Sequence, residues 1–130
     1  MQTFPITGIS ALLLGALLLI LTSRVISVRR HDKIALGDGG NESLQKRLRA
    51  HGNAMEQIPI FLIILGLCEA SSGSNWNLGA ISVVFITGRV LHAAYFSFPG
   101  THWKYRFYGM SATLLAQAAL LGVLAASLIL

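Results

Sequence analysis

The chain has 130 residues, of which 54% are hydrophobic and only 12% are charged, and its formal net charge is +5. The charged fraction is about half the roughly 25% of a soluble domain, which excludes disordered chains and most soluble enzymes. The single cysteine excludes an internal disulfide and a zinc ribbon. The length allows one domain, and a mean hydropathy of +0.65 indicates a membrane protein.

Four apolar segments can each supply the roughly 20 residues that cross a bilayer. The first and last segments contain no charged residue, and the third contains only Arg89. The second, residues 57–68, is too short alone and spans only if it extends back through Glu56 to about Leu44. We therefore predict a single domain over residues 1–130, an all-α integral membrane bundle whose four transmembrane helices cover about 4–28, 44–68, 76–98 and 107–130.

The first connection contains the run Gly37-Asp38-Gly39-Gly40, which predicts a flexible turn. Successive glycines can form a nest for an anion, but this run lacks the lysine and hydroxyl residue that end a phosphate-binding loop. Asn41 is predicted to cap the second helix, with Glu42 in the first turn, where the helix dipole favours an acid.

The lysines and arginines lie almost entirely on one side of this predicted bundle. Seven of the ten surround the first connection, two lie in the third, and Arg89 lies inside the third span. Such a distribution places the first and third connections in the cytoplasm and both termini outside. Because topology accounts for the basic residues, we do not predict a nucleic-acid partner.

Glu56 and Arg89 are ionisable residues inside predicted spans, where they cost free energy and usually find a partner. Glu56 lies 13 residues before Glu69, and Arg89 lies 13 residues after Trp76, both counted from the outer helix ends. At about 1.5 Å per residue, both lie about 20 Å from the outer surface. We predict an ion pair between them, within one chain or across a subunit interface.

Polar residues form stripes on the second and third helices. Arg49, Asn53 and Glu56 have helical i, i+4, i+7 spacing, and His92 continues the stripe of Arg89, with Tyr95 adjacent. A cationic lining open to the cytoplasm suits an anionic ligand and a second, apolar substrate from the bilayer. The alternative is that these groups only hold the helices together. The histidines and acids show no metal-binding spacing, so no metal site is predicted.

The run Arg49-Ala50-His51-Gly52-Asn53-Ala54-Met55-Glu56-Gln57-Ile58-Pro59 resembles the helix-2 motif of the MAPEG family, membrane-associated proteins in eicosanoid and glutathione metabolism. Gly88-Arg89-Val90-Leu91-His92 resembles its helix-3 motif. The glycine-rich turn and Gly109-Met110-Ser111-Ala112-Thr113 resemble a bacterial inner-membrane branch. The resemblance implies a homotrimer in the bacterial cytoplasmic membrane, with glutathione bound between subunits.

Site residues follow from this resemblance. Family enzymes commonly carry a tyrosine where this chain has Gln57, and family members carry another where it has Phe96. The more active eukaryotic members have a thiolate-stabilising arginine near the start of helix 4, and this chain has no arginine at the matching position. Arg106, about one turn earlier than that arginine, and nearby Ser111 are the catalytic candidates here. The residues predicted to bind glutathione or its local network are Arg29, Arg49, Asn53, Glu56, Arg89, His92 and Tyr95.

Three functions are compatible with these observations. The first is a microsomal-type glutathione transferase or peroxidase that acts on hydrophobic small-molecule electrophiles. The second is a small proton-coupled transporter that uses Glu56, although a paired carboxylate stays ionised rather than cycling. The third is a non-catalytic trimer that binds glutathione or lipid.

Overall fold

The computed structural model describes residues 3–129, which form four helices. Each helix is long and apolar enough to cross a membrane, which confirms the predicted all-α, four-span architecture. Three of the helices are longer than the predicted spans, and α3 ends one residue earlier than predicted. They are α1 (Pro5–Asp32), α2 (Glu42–Ser72), α3 (Trp76–Ser97) and α4 (Lys104–Ile129). We call the end where α1 and α3 finish and α2 and α4 begin the basic end, because it holds nine of the ten lysines and arginines.

The connection between α1 and α2 is tied down by hydrogen bonds on both sides. Asn41 caps α2 as expected, since its side-chain oxygen accepts from the backbone N–H of Leu44 at 3.0 Å. Its amide nitrogen donates to Asp32 at 2.6 Å. Asp38 accepts from the backbone N–H of Gly40 at 2.9 Å and from Gln45 at 2.7 Å. These two hydrogen bonds, with Gly40 the stronger influence, lower the pKa of Asp38.

The opposite end is held by Glu69, which is 3% exposed. No side chain of the local sequence caps α1, whose first backbone N–H groups need acceptors. The Glu69 carboxylate accepts from the backbone N–H of Ile6 at 3.0 Å and of Thr7 at 2.8 Å. The hydroxyls of Thr7 and Ser74 donate to it at 2.7 and 2.6 Å. A carboxylate from the end of α2 therefore caps α1 and joins the two helices.

Helices α3 and α4 touch backbone to backbone at Gly88 and Gly109. A Cβ atom on Gly88 would lie 2.8 Å from the carbonyl oxygen of Gly109, and one on Gly109 would lie 2.7 Å from the backbone nitrogen of His92. Small residues permit such close helix approach in membranes. The buried face of α4 continues from Gly109 through Thr113, Ala116 and Leu120.

All four helices contribute to the core, in which the buried rings of Phe61 on α2 and Phe85 on α3 stack with their centroids 3.7 Å apart. By contrast, long apolar side chains on α1 and α4 face outward; Leu12 is 74% exposed and Leu115 is 69% exposed. Such exposed apolar side chains are expected on helices that contact lipid or other membrane helices.

We expect Gly88→Ala to destabilise the fold by at least about 1–3 kcal/mol, because the added methyl would overlap the backbone of α4. The melting temperature in detergent measures this effect. Gly79→Ala is the matched control on the same helix, since a Cβ there meets no atom within 4 Å. Equal melting temperatures for the two variants would contradict the close approach.

Glu69→Gln should destabilise the protein by about 2 kcal/mol, because an amide NH₂ cannot accept the hydrogen bonds that the second carboxylate oxygen accepts. Amide hydrogen exchange should accelerate first in the opening turn of α1. Glu42→Gln is the control, because that acid pairs only with Lys46 on the surface. Unchanged exchange at Ile6 and Thr7 would show that Glu69 is not the cap.

Candidate functional site

Arg89 is the most buried charge of the bundle, with only 2% of its surface exposed. Its Nε donates to the Thr113 hydroxyl at 2.8 Å, and its Nη1 donates to Oδ1 of Asn53 at 2.5 Å. Its Nη2 faces the thioether sulfur of Met110 at 3.6 Å. Among residues 3–129, therefore, the guanidinium is held by neutral acceptors, and no carboxylate forms an ion pair with it.

The predicted ion pair between Glu56 and Arg89 is not formed within the chain. Glu56 is exposed on α2, while its neighbours Ala54 and Ile58 face the core. Equal depth along two helices does not determine the rotation of each helix about its axis, and Asn53 takes the position facing Arg89. Pairing of Glu56 across a subunit interface stays a prediction. An ion pair with Arg89 would have kept Glu56 ionised and so argued against a proton-coupled transporter. That ion pair is not present among residues 3–129.

Two further arginines hold helices together at the basic end. Arg24 of α1 donates to the carbonyl of Ser97, the last residue of α3, at 2.8 Å, and its guanidinium lies 5.8 Å from the ring centroid of Phe98. Arg47 of α2 donates to the backbone carbonyl of Arg24 at 2.9 Å. Both cations donate hydrogen bonds to backbone carbonyl groups, so each has a structural role that requires no ligand.

A cleft of about 670 Å³ opens beside these arginines, between the start of α2 and the end of α3. Arg49 and Arg106 line it, are exposed, and make no hydrogen bond or ion pair with residues 3–129. The ring of Phe96 lies 5.8 Å from the Arg106 guanidinium, and Tyr95 lines the same wall. Lys46 also lines the cleft but pairs with Glu42 at 2.7 Å. The cleft thus offers free cations next to an aromatic wall.

The structure separates the sequence-predicted site residues into groups. Arg49, Tyr95 and Arg106 meet in the cleft, whereas Asn53 joins Arg89 in the buried network. The other predicted residues do not line the cleft. His92 is buried against Phe96 and the backbone of α4, Arg29 donates to the carbonyl of Ile34, Ser111 is half-buried on α4, and Glu56 is exposed on α2.

Thr113 was missed by sequence reasoning, although it is fully buried and binds Arg89. The available signal was the spacing of Gly109 and Thr113, one turn apart, which puts a small residue and a hydroxyl on one face of α4. Only the contact between Gly88 and Gly109 shows that this face meets Arg89. No group of three His, Cys, Asp or Glu side chains within residues 3–129 could hold a metal ion.

The sequence model of the MAPEG family matches residues 7–126, which include nearly all of the four helices and every residue of the cleft and the Arg89 network. The chain belongs to the MAPEG family. The extent of the match confirms the resemblance seen in the motifs of α2 and α3. Membership of this family is consistent with a function related to glutathione.

Two similar proteins are both called inner membrane protein YecN, one from Escherichia coli strain K12 and one from Escherichia coli O6:H1 strain CFT073. Each is 35% identical over 108 residues, which cover 83% of this chain and 81% of the relative. A relative in the inner membrane and four helices able to span a bilayer agree with the predicted membrane location.

The contrast between Arg47 and Arg49 gives a test of this part of the structure. Arg47→Ala should lower stability by about 1 kcal/mol, because it removes a hydrogen bond to the carbonyl of Arg24. Arg49→Ala should leave the melting temperature in detergent unchanged, since Arg49 contacts no acceptor in the described chain. A loss of stability in Arg49→Ala that equals the loss in Arg47→Ala would contradict the assignment of Arg49 as a free cation.

Proposed function

We propose that the protein binds glutathione at its basic end and catalyses transferase or peroxidase reactions on hydrophobic electrophiles that partition into the bilayer. The observation that carries this proposal is the cleft, where Arg49 and Arg106 are free beside Tyr95 and Phe96. Membership of the MAPEG family supports the choice of glutathione over other anions.

The donor set of the cleft fits glutathione by charge. Glutathione carries two carboxylates and one ammonium, so it needs several cations and one acid. Arg49 and Arg106 provide charged donors for the carboxylates, and arginine binds a carboxylate through two parallel N–H groups. Glu56 lies outside the cleft, two turns along α2 from Arg49, and we assign it the ammonium of a glutathione that extends along α2 beyond the cleft.

Bound glutathione would supply a thiol nucleophile for attack on an electrophilic carbon or a peroxide. A thiol ionises with a pKa near 8.5 and needs a nearby cation to react at neutral pH. The Arg106 guanidinium lies 5.8 Å from the ring centroid of Phe96 in the aromatic wall, and we assign it the role of stabilising the thiolate. Tyr95 and Phe96 would place the apolar substrate beside it. Ser111 does not line the cleft, so it takes no part in this assignment.

The assembly that we propose is a homotrimer with the basic end in the cytoplasm and both termini in the periplasm. The position of Glu56 supports a subunit interface, because a carboxylate exposed on a spanning helix needs a polar partner in the membrane, and none lies within residues 3–129. The nine basic residues at one end support the orientation.

The test is calorimetric binding of glutathione to the protein in lipid nanodiscs, followed by conjugation to a chlorinated nitroaromatic. We expect Arg49→Ala to weaken binding about 10–100-fold, because a hydrogen bond to a charged group is worth about 1.5–3 kcal/mol. Lys33→Ala is the control, since Lys33 is a basic-end cation outside the cleft.

Two outcomes would contradict the proposal. The first is the absence of wild-type binding at millimolar glutathione. The second is proton-driven uptake by vesicles that depends on Glu56, which would identify a transporter. Binding without conjugation would support the non-catalytic function instead of the enzyme.

A further inference from the structure

The hydrogen bonds of Arg89 determine which atom of Asn53 faces outward. A guanidinium only donates hydrogen bonds, so the Asn53 atom 2.5 Å from Nη1 must be the side-chain oxygen. The amide nitrogen Nδ2 then points away from Arg89. It donates to none of the described residues, and no buried side-chain nitrogen or oxygen among them lacks a partner, so Nδ2 reaches the surface of α2.

The same reasoning orients Thr113. Its hydroxyl accepts from Nε of Arg89, so its proton must go elsewhere, and it is donated to the carbonyl of Gly109 at 2.8 Å. The guanidinium on α3 therefore donates in two directions, to Thr113 on α4 and to Oδ1 of Asn53 on α2, which leaves Nδ2 of Asn53 as the outermost donor of the network. Hydrogen-bond networks of this kind in a low-dielectric interior hold their members in one arrangement.

We propose that Arg89 is a positioning residue, which holds Asn53 so that Nδ2 donates, next to Arg49, to a carboxylate of the ligand. This inference rests on the proposed glutathione function and assigns Arg89 a role different from ligand contact. Each nitrogen of the Arg89 guanidinium already has a partner, Nε in Thr113, Nη1 in Asn53 and Nη2 in Met110, and the residue is 2% exposed. Asn53 and Arg49 lie one helical turn apart on the same face of α2. Arg49 lines the cleft, and Asn53 lies one turn deeper in the bundle, just beyond the cleft lining.

The first experiment replaces the amide by a carboxylate. In Asn53→Asp, Arg89 keeps an acceptor and gains a counter-ion, so the melting temperature should stay the same or rise. The outward donor becomes an acceptor that repels an anion, so glutathione binding in nanodiscs should weaken at least tenfold. If the network only stabilises the fold, the melting temperature and the glutathione affinity of Asn53→Asp should change in the same direction.

The second experiment asks whether the outward group recognises a carboxylate. Two glutathione analogues, each with one carboxylate converted to the carboxamide, are compared with glutathione by calorimetry. The wild-type protein should prefer glutathione over both. Asn53→Asp should reverse the preference for one of the two analogues, because a carboxamide donates to the new carboxylate. Asn53→Asp that retains the wild-type preference for both analogues would overturn the inference.

The third experiment uses Thr113, which is fully buried and cannot touch a ligand on the surface of α2. Thr113→Val keeps the shape but removes the acceptor of Nε, so Arg89 loses its orientation and glutathione affinity should fall about three- to tenfold. Thr113→Ser restores the hydroxyl and should restore affinity. Wild-type affinity in Thr113→Val, or weak binding in Thr113→Ser, would overturn the inference.

These outcomes separate the inference from the function on which it rests. Absence of glutathione binding by the wild-type protein overturns the proposed function, and the positioning role with it. Wild-type binding together with unchanged affinity in Asn53→Asp overturns the positioning role alone.

Discussion

A cation buried in a membrane-spanning bundle without a carboxylate is the constraint on which the centre of this protein depends. Among residues 3–129, Arg89 is held only by neutral groups from two other helices, Asn53 on α2 and Thr113 and Met110 on α4. These groups reach it because Gly88 and Gly109 let α3 and α4 approach backbone to backbone. The close approach of α3 and α4 and the hydrogen bonds of Arg89 therefore depend on each other, and a substitution at either glycine also disturbs the Arg89 network.

Backbone N–H and C=O groups at helix ends have no partner within their own helix. At the two ends of the bundle, side chains of opposite charge provide these partners. At one end, the Glu69 carboxylate caps the start of α1, where the helix dipole favours an anion. At the basic end, Arg24 donates to the last carbonyl of α3, where a cation is favoured. Among the cations that line the cleft, Arg47 donates to the fold and Lys46 pairs with Glu42, so Arg49 and Arg106 are the two without a hydrogen-bond or ion-pair partner among residues 3–129.

Much of the fold could be predicted from hydropathy and charge, because both are properties of continuous segments. The four spans and their order follow from such segments. The cap at Asn41 could also be predicted, because it depends only on neighbouring residues in the sequence. The depths of Glu56 and Arg89 in the membrane also follow from counting residues. Residue counting does not show which faces of α2 and α3 contact each other. Helix rotation is decided by packing between distant segments, which is why Asn53 faces Arg89 and Glu56 does not. Glu69 served only as a marker of a helix end, since its role requires contact with α1, 62 residues away.

The most direct test of this account is an experimental structure of the protein in nanodiscs with an S-alkyl glutathione analogue. The account predicts that a ligand carboxylate lies against Arg49 and Nδ2 of Asn53, while Arg89 keeps its hydrogen bonds to Asn53 and Thr113. A guanidinium of Arg89 turned outward onto the ligand, or paired with Glu56 of the same chain, would contradict it.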